Sequence, residues 1–258
     1  RLFAGAEGTL GTVVAVELGL VSRPAKTRMA LLHFDDLRAA LESVPAILET
    51  EPSAIELIDR MLVDMTRTHP EFSKLLTFVD GDPAAILVVE FYGDTDAELT
   101  AKTERLRERM ARAAYQGSMT LAITAQQMAN VTRVRKAGVG LLMSMRGELK
   151  PVPFIEDAAV PVEHLPDYVA GVQELVAAHD TKVAIYAHAS AGCLHIRPLV
   201  SLKTAEGLRR YRAIAEAATE LAIKFEGTTS GEHGEGLSRG EFSRLLFGPQ
   251  LSEEFRQV

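Results

Sequence analysis

Four residues in the C-terminal half are of types and spacing that could do chemistry: His188, His195, Glu232 and His233. The two histidines flank a small-residue turn, Ala189-Ser-Ala-Gly, between two β-rich runs, Lys182–His188 and Cys193–Val200. If 188 pairs with 193, as so short a turn allows, 195 lies opposite 186. Residues 186 and 188 share a face, so His188 and His195 become diagonal neighbours that can reach one ion. A one-residue slip in register would separate them. Neutral imidazole suits zinc and other borderline metals, and a carboxylate such as Glu232 completes a three-ligand set. Such a set leaves positions open for a substrate oxygen, the arrangement of a catalytic rather than a structural ion. The bland alternative is two ordinary strand histidines, one of them a hydrogen-bonded core residue. Glu232 and His233 sit in Gly227-Thr-Thr-Ser-Gly-Glu-His-Gly-Glu-Gly, a run that brings backbone close to a ligand or forms a flexible surface loop. Adjacent side chains diverge, so one could bind a metal while the other faces a substrate.

The elements that must position these residues follow from the pattern. A glycine-rich turn at Gly5, Gly8 and Gly11 leads into a β-rich stretch, Thr12-Val-Val-Ala-Val-Glu-Leu, and then a linker at Pro24–Arg28. Strands are expected at 29–34, 84–92 and 120–124, and helices at 53–68, 95–116 and 125–145. Asp35 is the expected cap of a helix carrying Leu37, Ala40, Leu41 and Val44. The second half repeats the order: a strand at 154–160, a helix to about 178, the histidine hairpin, a long helix over 203–226, the glycine-rich loop and a last short helix. Phe34-Asp-Asp-Leu-Arg-Ala-Ala-Leu and Val162-Glu-His-Leu-Pro-Asp-Tyr-Val even sound alike. Strands joined by helices and a hairpin, with weak internal duplication, indicate an α+β fold: a duplicated ferredoxin-like antiparallel sheet flanked by helices. A doubly wound parallel sheet is the alternative, and the hairpin argues against it.

The chain has 258 residues, 47% hydrophobic and 24% charged, with a net charge of −7. That length can bury one large or two small cores. The acidic balance disfavours a nucleic-acid surface, and the interspersed charges read as a solvated face. The single cysteine, Cys193, excludes an intrachain disulfide and fits a reducing cytoplasm. No apolar run reaches the roughly 18–20 residues of a membrane span, and the N-terminus does not read as a signal peptide. A cytoplasmic location is expected, with peripheral membrane association and homo-oligomerisation left open.

Taken together, these residues resemble the C-terminal domain of FAD-linked oxidases of the vanillyl-alcohol-oxidase superfamily, in the branch containing D-lactate, glycolate and D-2-hydroxyglutarate dehydrogenases. Four segments carry the resemblance: Gly5-Ala-Glu-Gly-Thr-Leu-Gly, Glu156-Asp-Ala-Ala-Val-Pro, His188-Ala-Ser-Ala-Gly-Cys-Leu-His and Ser230-Gly-Glu-His-Gly-Glu-Gly. They span nearly the whole chain in order. The resemblance implies that residues 1–28 are the tail of an FAD-binding domain and linker, with 29–258 the substrate or cap domain. It implies FAD contacts at Gly5, Glu7, Gly8, Thr9 and Gly11. It makes His188, His195 and Glu232 ligands of a divalent metal, zinc by donor type, and His233 the active-site base. Arg135 becomes the receptor for a substrate carboxylate, with Arg133 close by as a rival.

On this reading the chain oxidises a small 2-hydroxy acid, passes electrons to FAD and then to an acceptor or iron–sulfur module, and lacks most of the flavin domain it needs. Two departures stand out. Ser190-Ala-Gly-Cys replaces the family's usual Gly-Asp-Gly-Asn, a variant resembling the subgroup that continues into an iron–sulfur domain. Ile155 stands where many relatives have a lysine. The competing readings are a metal-dependent hydrolase, a metal-free flavin oxidase and a non-catalytic ferredoxin-like binding domain.

Overall fold

The structure is a computed structural model that describes Phe3, Ala6 and residues 8–257. Its first half runs β1 (Lys26–Phe34), α1 (Leu37–Glu42), α2 (Val44–Leu48), β2 (Ala54–Asp59), α3 (Arg60–Thr68), β3 (Ala85–Gly93), α4 (Asp96–Arg112) and β4 (Met119–Ala122). Helix α5 (Ala125–Met143) and the two-residue β5 (Lys150–Pro151) lead to the second half. That half runs β6 (Glu156–Ala159), α6 (Leu165–Ala178), β7 (Val183–His188), β8 (Cys193–Val200), α7 (Ala205–Lys224), α8 (Gly236–Arg239) and α9 (Ser243–Gln257).

All strand pairings are antiparallel, and the order in the first half is β4-β1-β3-β2. The second half mirrors it: β7 pairs β8, β8 pairs β6, and Ala159 of β6 bridges Thr228. Pairing of β2 with β7 joins the halves into one eight-stranded sheet. This is the duplicated ferredoxin-like architecture expected from the sequence.

Strand alternation divides the core between two faces. On one, Leu32, Leu57, Leu87 and Ile196 pack with Leu41 of α1, Leu106 of α4, Tyr168 of α6 and Ile214 of α7. On the other, Met29, Leu31, Ile58 and Val88 pack with Leu62 of α3 and Val131 and Val134 of α5. These helices cover only the first half of the second face. In the second half the glycine-rich loop is tied to β6, Gly231 N donating to Asp157 O at 2.8 Å.

Three local expectations are corrected. Residues 12–18 form no strand: the segment from 11 to 24 has no regular structure, and Val14, Leu20 and Val21 are almost fully exposed. β-rich composition gives a strand only where a partner edge accepts its hydrogen bonds, and no strand of this sheet does so. Residues 53–68 are not one helix. Ala54–Asp59 is a strand, and only Arg60–Thr68 is helical. The Asp59 side chain accepts from Leu62 N at 2.9 Å and caps the helix at the switch. The cap of α1 is Asp36 rather than Asp35, because Asp36 is the residue whose carboxylate meets Ala39 N, at 3.1 Å. Among the described residues no helix is long and apolar enough to cross a membrane.

Candidate active site

The hairpin forms in the register that brings the histidines together: His188 opposes Cys193 and Tyr186 opposes His195. A single turn of 3-10 helix, Ala189–Ala191, reverses the chain and ends at Gly192 with φ +69°. A side chain there would be strained and would also meet Val160 O at 2.0 Å. Ser190 ties the turn to the first half, its hydroxyl accepting from Ile55 N at 3.2 Å.

The His188 and His195 rings meet edge to face with centroids 5.1 Å apart, and His195 stacks on Tyr186 at 4.7 Å. Glu232 Oε1 lies 3.4 Å from His188 Nε2. One ligand atom from each of His188, His195 and Glu232 falls within 4.8 Å of the others, as in a second group formed by Glu156, His195 and His233. The donor chemistry fits a divalent borderline cation: two imidazoles and a carboxylate, with Glu232 and His188 partly open to solvent. Among the described residues, buried His195 Nδ1 and Glu156 Oε2 have no hydrogen-bond partner, which is consistent with a site that takes a ligand.

His233 is half exposed beside this group, its Nδ1 3.8 Å from Glu156 Oε1. Its centroid is 5.6 Å from that of His195. The loop that carries it is held by Asp157, which is fully buried. Asp157 Oδ2 accepts from Glu232 N at 2.7 Å, His233 N at 2.6 Å and Ser230 Oγ at 2.8 Å. Arg239 Nη1 donates to Oδ1 at 2.5 Å, and the same guanidinium reaches the backbone carbonyls of Ile155, Thr229 and Gly234. Burial opposes ionisation of Asp157, but the His233 and Glu232 amides, with Arg239 and Ser230, outweigh it and hold the carboxyl well below the usual range. Nothing in the sequence pattern marked Arg239. Its position four residues after Glu235 on a short helix reads as an ordinary surface charge.

Glu56 is the second residue that the sequence left unmarked. It lies on β2 directly opposite His188. Its carboxylate meets His188 Nδ1 at 2.9 and 3.1 Å and Arg135 Nη2 at 2.6 Å. The hydrogen bond to Glu56 raises His188 above the ordinary histidine value, against its burial. Of the two candidate arginines, Arg133 is exposed, whereas Arg135 is ion-paired with Glu56, the partner of His188.

Arg197 adds a third residue that the sequence reading did not single out. It is two residues beyond His195 on the same face of β8, buried, and donates to Glu156 Oε1 at 2.7 Å. Glu156 itself has φ +37°, a left-handed conformation that costs a non-glycine residue about 1–2 kcal/mol. Ile155 is buried in the apolar core. Cys193 is buried too, and burial pushes its thiol up to about 12, so it is inert at neutral pH.

The expected flavin contacts all fall in the N-terminal segment. Gly5 and Glu7 lie outside the described residues. Gly8, Thr9 and Gly11 are exposed on the irregular N-terminal segment, and Thr9 bonds only locally, to Ala6 O at 2.6 Å.

Comparison with known proteins gives a consistent family. D-2-hydroxyglutarate dehydrogenase of Escherichia coli (strain K12) is 31% identical over 267 residues, covering 100% of this chain and 26% of that protein. Glycolate oxidase subunit GlcD of Bacillus subtilis (strain 168) is 26% identical over 250 residues, covering 95% of this chain and 50% of its own length. The chain thus spans about a quarter to a half of the relatives it matches. Among solved structures, p-cresol methylhydroxylase with substrate bound superposes with a TM-score of 0.63 at 12% identity, covering 90% of this chain and 49% of that one. At that identity the likeness shows the fold. The family model described as FAD linked oxidases, C-terminal domain, matches residues 23–258, and the chain belongs to that family.

Proposed function

We propose that this chain is the substrate-side domain of a flavin-dependent dehydrogenase that oxidises a small D-2-hydroxy acid, of the D-lactate, glycolate or D-2-hydroxyglutarate kind, to the 2-oxo acid. The observation that carries the reading is the convergence of His188, His195 and Glu232 ligand atoms within 4.8 Å, with His233 beside them. The family match and the named relatives support the reaction class. On this reading residues 29–258 are the substrate domain and 1–28 the tail of the FAD domain, with the junction moved a few residues earlier because β1 already begins at Lys26 and the family match at residue 23.

In this assignment His188, His195 and Glu232 hold a divalent cation, zinc by donor type. A bound cation would supply positive charge beside the substrate hydroxyl, and FAD would accept the electrons. The chain's own residues do the rest. Arg135, held on one edge by Glu56, offers its remaining N–H groups to the substrate carboxylate. His233, on a loop clamped by Asp157, takes the hydroxyl proton. A histidine suits that task because its ordinary value lies near neutral pH. Glu156 and Arg197 line the side of the cluster next to His195 and His233.

The test is elemental analysis and substrate oxidation by the full-length FAD-loaded protein beside its His188→Ala/His195→Ala variant. About one equivalent of metal in the parent, absent from the variant together with activity on D-2-hydroxy acids, is the expected result. Metal-dependent ester or amide hydrolysis without flavin reduction would overturn it. So would hydroxy-acid oxidation that survives complete metal removal.

A further inference from the structure

We propose that Glu56 is a positioning residue that serves the metal ligand and the substrate-binding arginine at once. The inference rests on the function proposed above and adds a residue from the opposite half of the sheet. Glu56 and His188 are direct partners across the β2–β7 seam, 132 positions apart in sequence. The Glu56 carboxylate is only 15% exposed, and both of its neighbours point inward to it.

The first effect is on His188. With Nδ1–H donating to the carboxylate, the proton is fixed on that nitrogen and the lone pair is left on Nε2. Nε2 is the atom that faces Glu232 Oε1, at 3.4 Å. A carboxylate on the far nitrogen of a metal-binding histidine both orients the ring and makes it a better donor.

The second effect is on Arg135. The same oxygen, Oε2, forms an ion pair with Nη2 at 2.6 Å, so the guanidinium on α5 is held by the group that holds the ligand on β7. A planar guanidinium anchored on one edge keeps its other donors in a fixed fork. The distance between cation and carboxylate receptor is then set by one side chain. A 2-hydroxy acid must bridge that distance, with its hydroxyl at one end and its carboxylate at the other.

Loss of Glu56 should therefore weaken metal binding and substrate binding together, a combination that a merely structural residue would not give. The experiment compares Glu56→Gln, Glu56→Asp and His188→Ala in the full-length FAD-loaded protein. The readouts are zinc affinity by competition with a chelating dye, kcat and KM for D-2-hydroxyglutarate, and the melting temperature. Glu56→Gln keeps the shape but turns an amide toward one of two donors. It should lower zinc affinity by about 10- to 100-fold and raise KM by about tenfold or more. Glu56→Asp, which keeps the charge, should recover part of both.

A Glu56→Gln protein whose zinc affinity and KM both stay within about threefold of the parent overturns the proposal, whatever happens to its melting temperature. Equal losses in Gln and Asp variants overturn it too, since charge would then not matter. His188→Ala separates the two levels of argument. If that variant loses zinc while Glu56→Gln does not, only the Glu56 inference fails. If His188→Ala keeps zinc, the metal site itself is wrong.

Discussion

Asp157 directs both carboxylate oxygens at the loop that carries Glu232 and His233. Three donors converge on Oδ2 and one guanidinium on Oδ1, all at 2.8 Å or less. Two of those donors are the backbone amides of the proposed ligand and the proposed base, so the clamp sets where both side chains start. An asparagine would present N–H groups to donors and leave Arg239 as an uncompensated buried cation. Breaking one side of a buried pair costs about 3–5 kcal/mol, and Asp157→Asn should fall near the lower end because one oxygen remains. Urea unfolding measures that loss. A change within about 0.5 kcal/mol would mean that the loop is held by something else. The pH sign follows from the depressed value: the contribution is present above the unfolded carboxylate range and is lost as pH falls through the folded value. Activity should suffer as well, because a loop released from Asp157 no longer fixes His233.

At the scale of elements, the hairpin was legible because everything it needs is local. Two strands, a four-residue reversal and a period of two place His188 and His195 on one face, and Gly192 is the only residue of the turn with a left-handed φ. Gly192→Ala should therefore be costly. It combines a positive φ with a backbone carbonyl 2.0 Å from the new carbon, so a loss of about 2 kcal/mol or more is expected. That corresponds to a fall of about 4–8 °C in melting temperature. A melting point within about one degree of the parent would show that the turn can shift at little cost. The Glu-His loop was legible for the same reason, since its residues are contiguous. Glu56, Arg197 and Arg239 were not. Their meaning depends on partners 132, 41 and 82 positions away, and a glutamate in an apolar strand or an arginine on a short helix has no local signature. The two misread segments fail differently. Residues 12–18 have strand composition without a partner edge, and 53–68 changes from strand to helix at a capping aspartate that periodicity passes over.

At the scale of the whole molecule, the candidate site lies where two similar halves meet along β2 and β7. The first half contributes Glu56 and Arg135, the second the histidines and the loop. Near this seam lies Asp59, which caps α3 through Leu62 N and also accepts from Ile185 N of β7 at 2.8 Å. Burial pushes its carboxyl up to about 6, against those two hydrogen bonds, and the Asp64 charge adds to the rise. The sign is opposite to that at Asp157. A raised carboxylate binds more protons in the folded state, so its stabilising effect is complete below the unfolded value near 3.8 and disappears as pH rises through about 6. A shift of this size is worth on the order of 3 kcal/mol. The measurement is the difference in unfolding free energy between the parent and Asp59→Asn at several pH values, which cancels the titration of every other group. That difference should be largest at about pH 3 or below and shrink by about 3 kcal/mol by pH 7. A flat difference would mean that Asp59 stays ionised in the folded protein with its two amides as sufficient partners. A shrinking one would show that the two halves join across a carboxyl group that is neutral in mild acid, so that the junction bearing the active site tightens as pH falls.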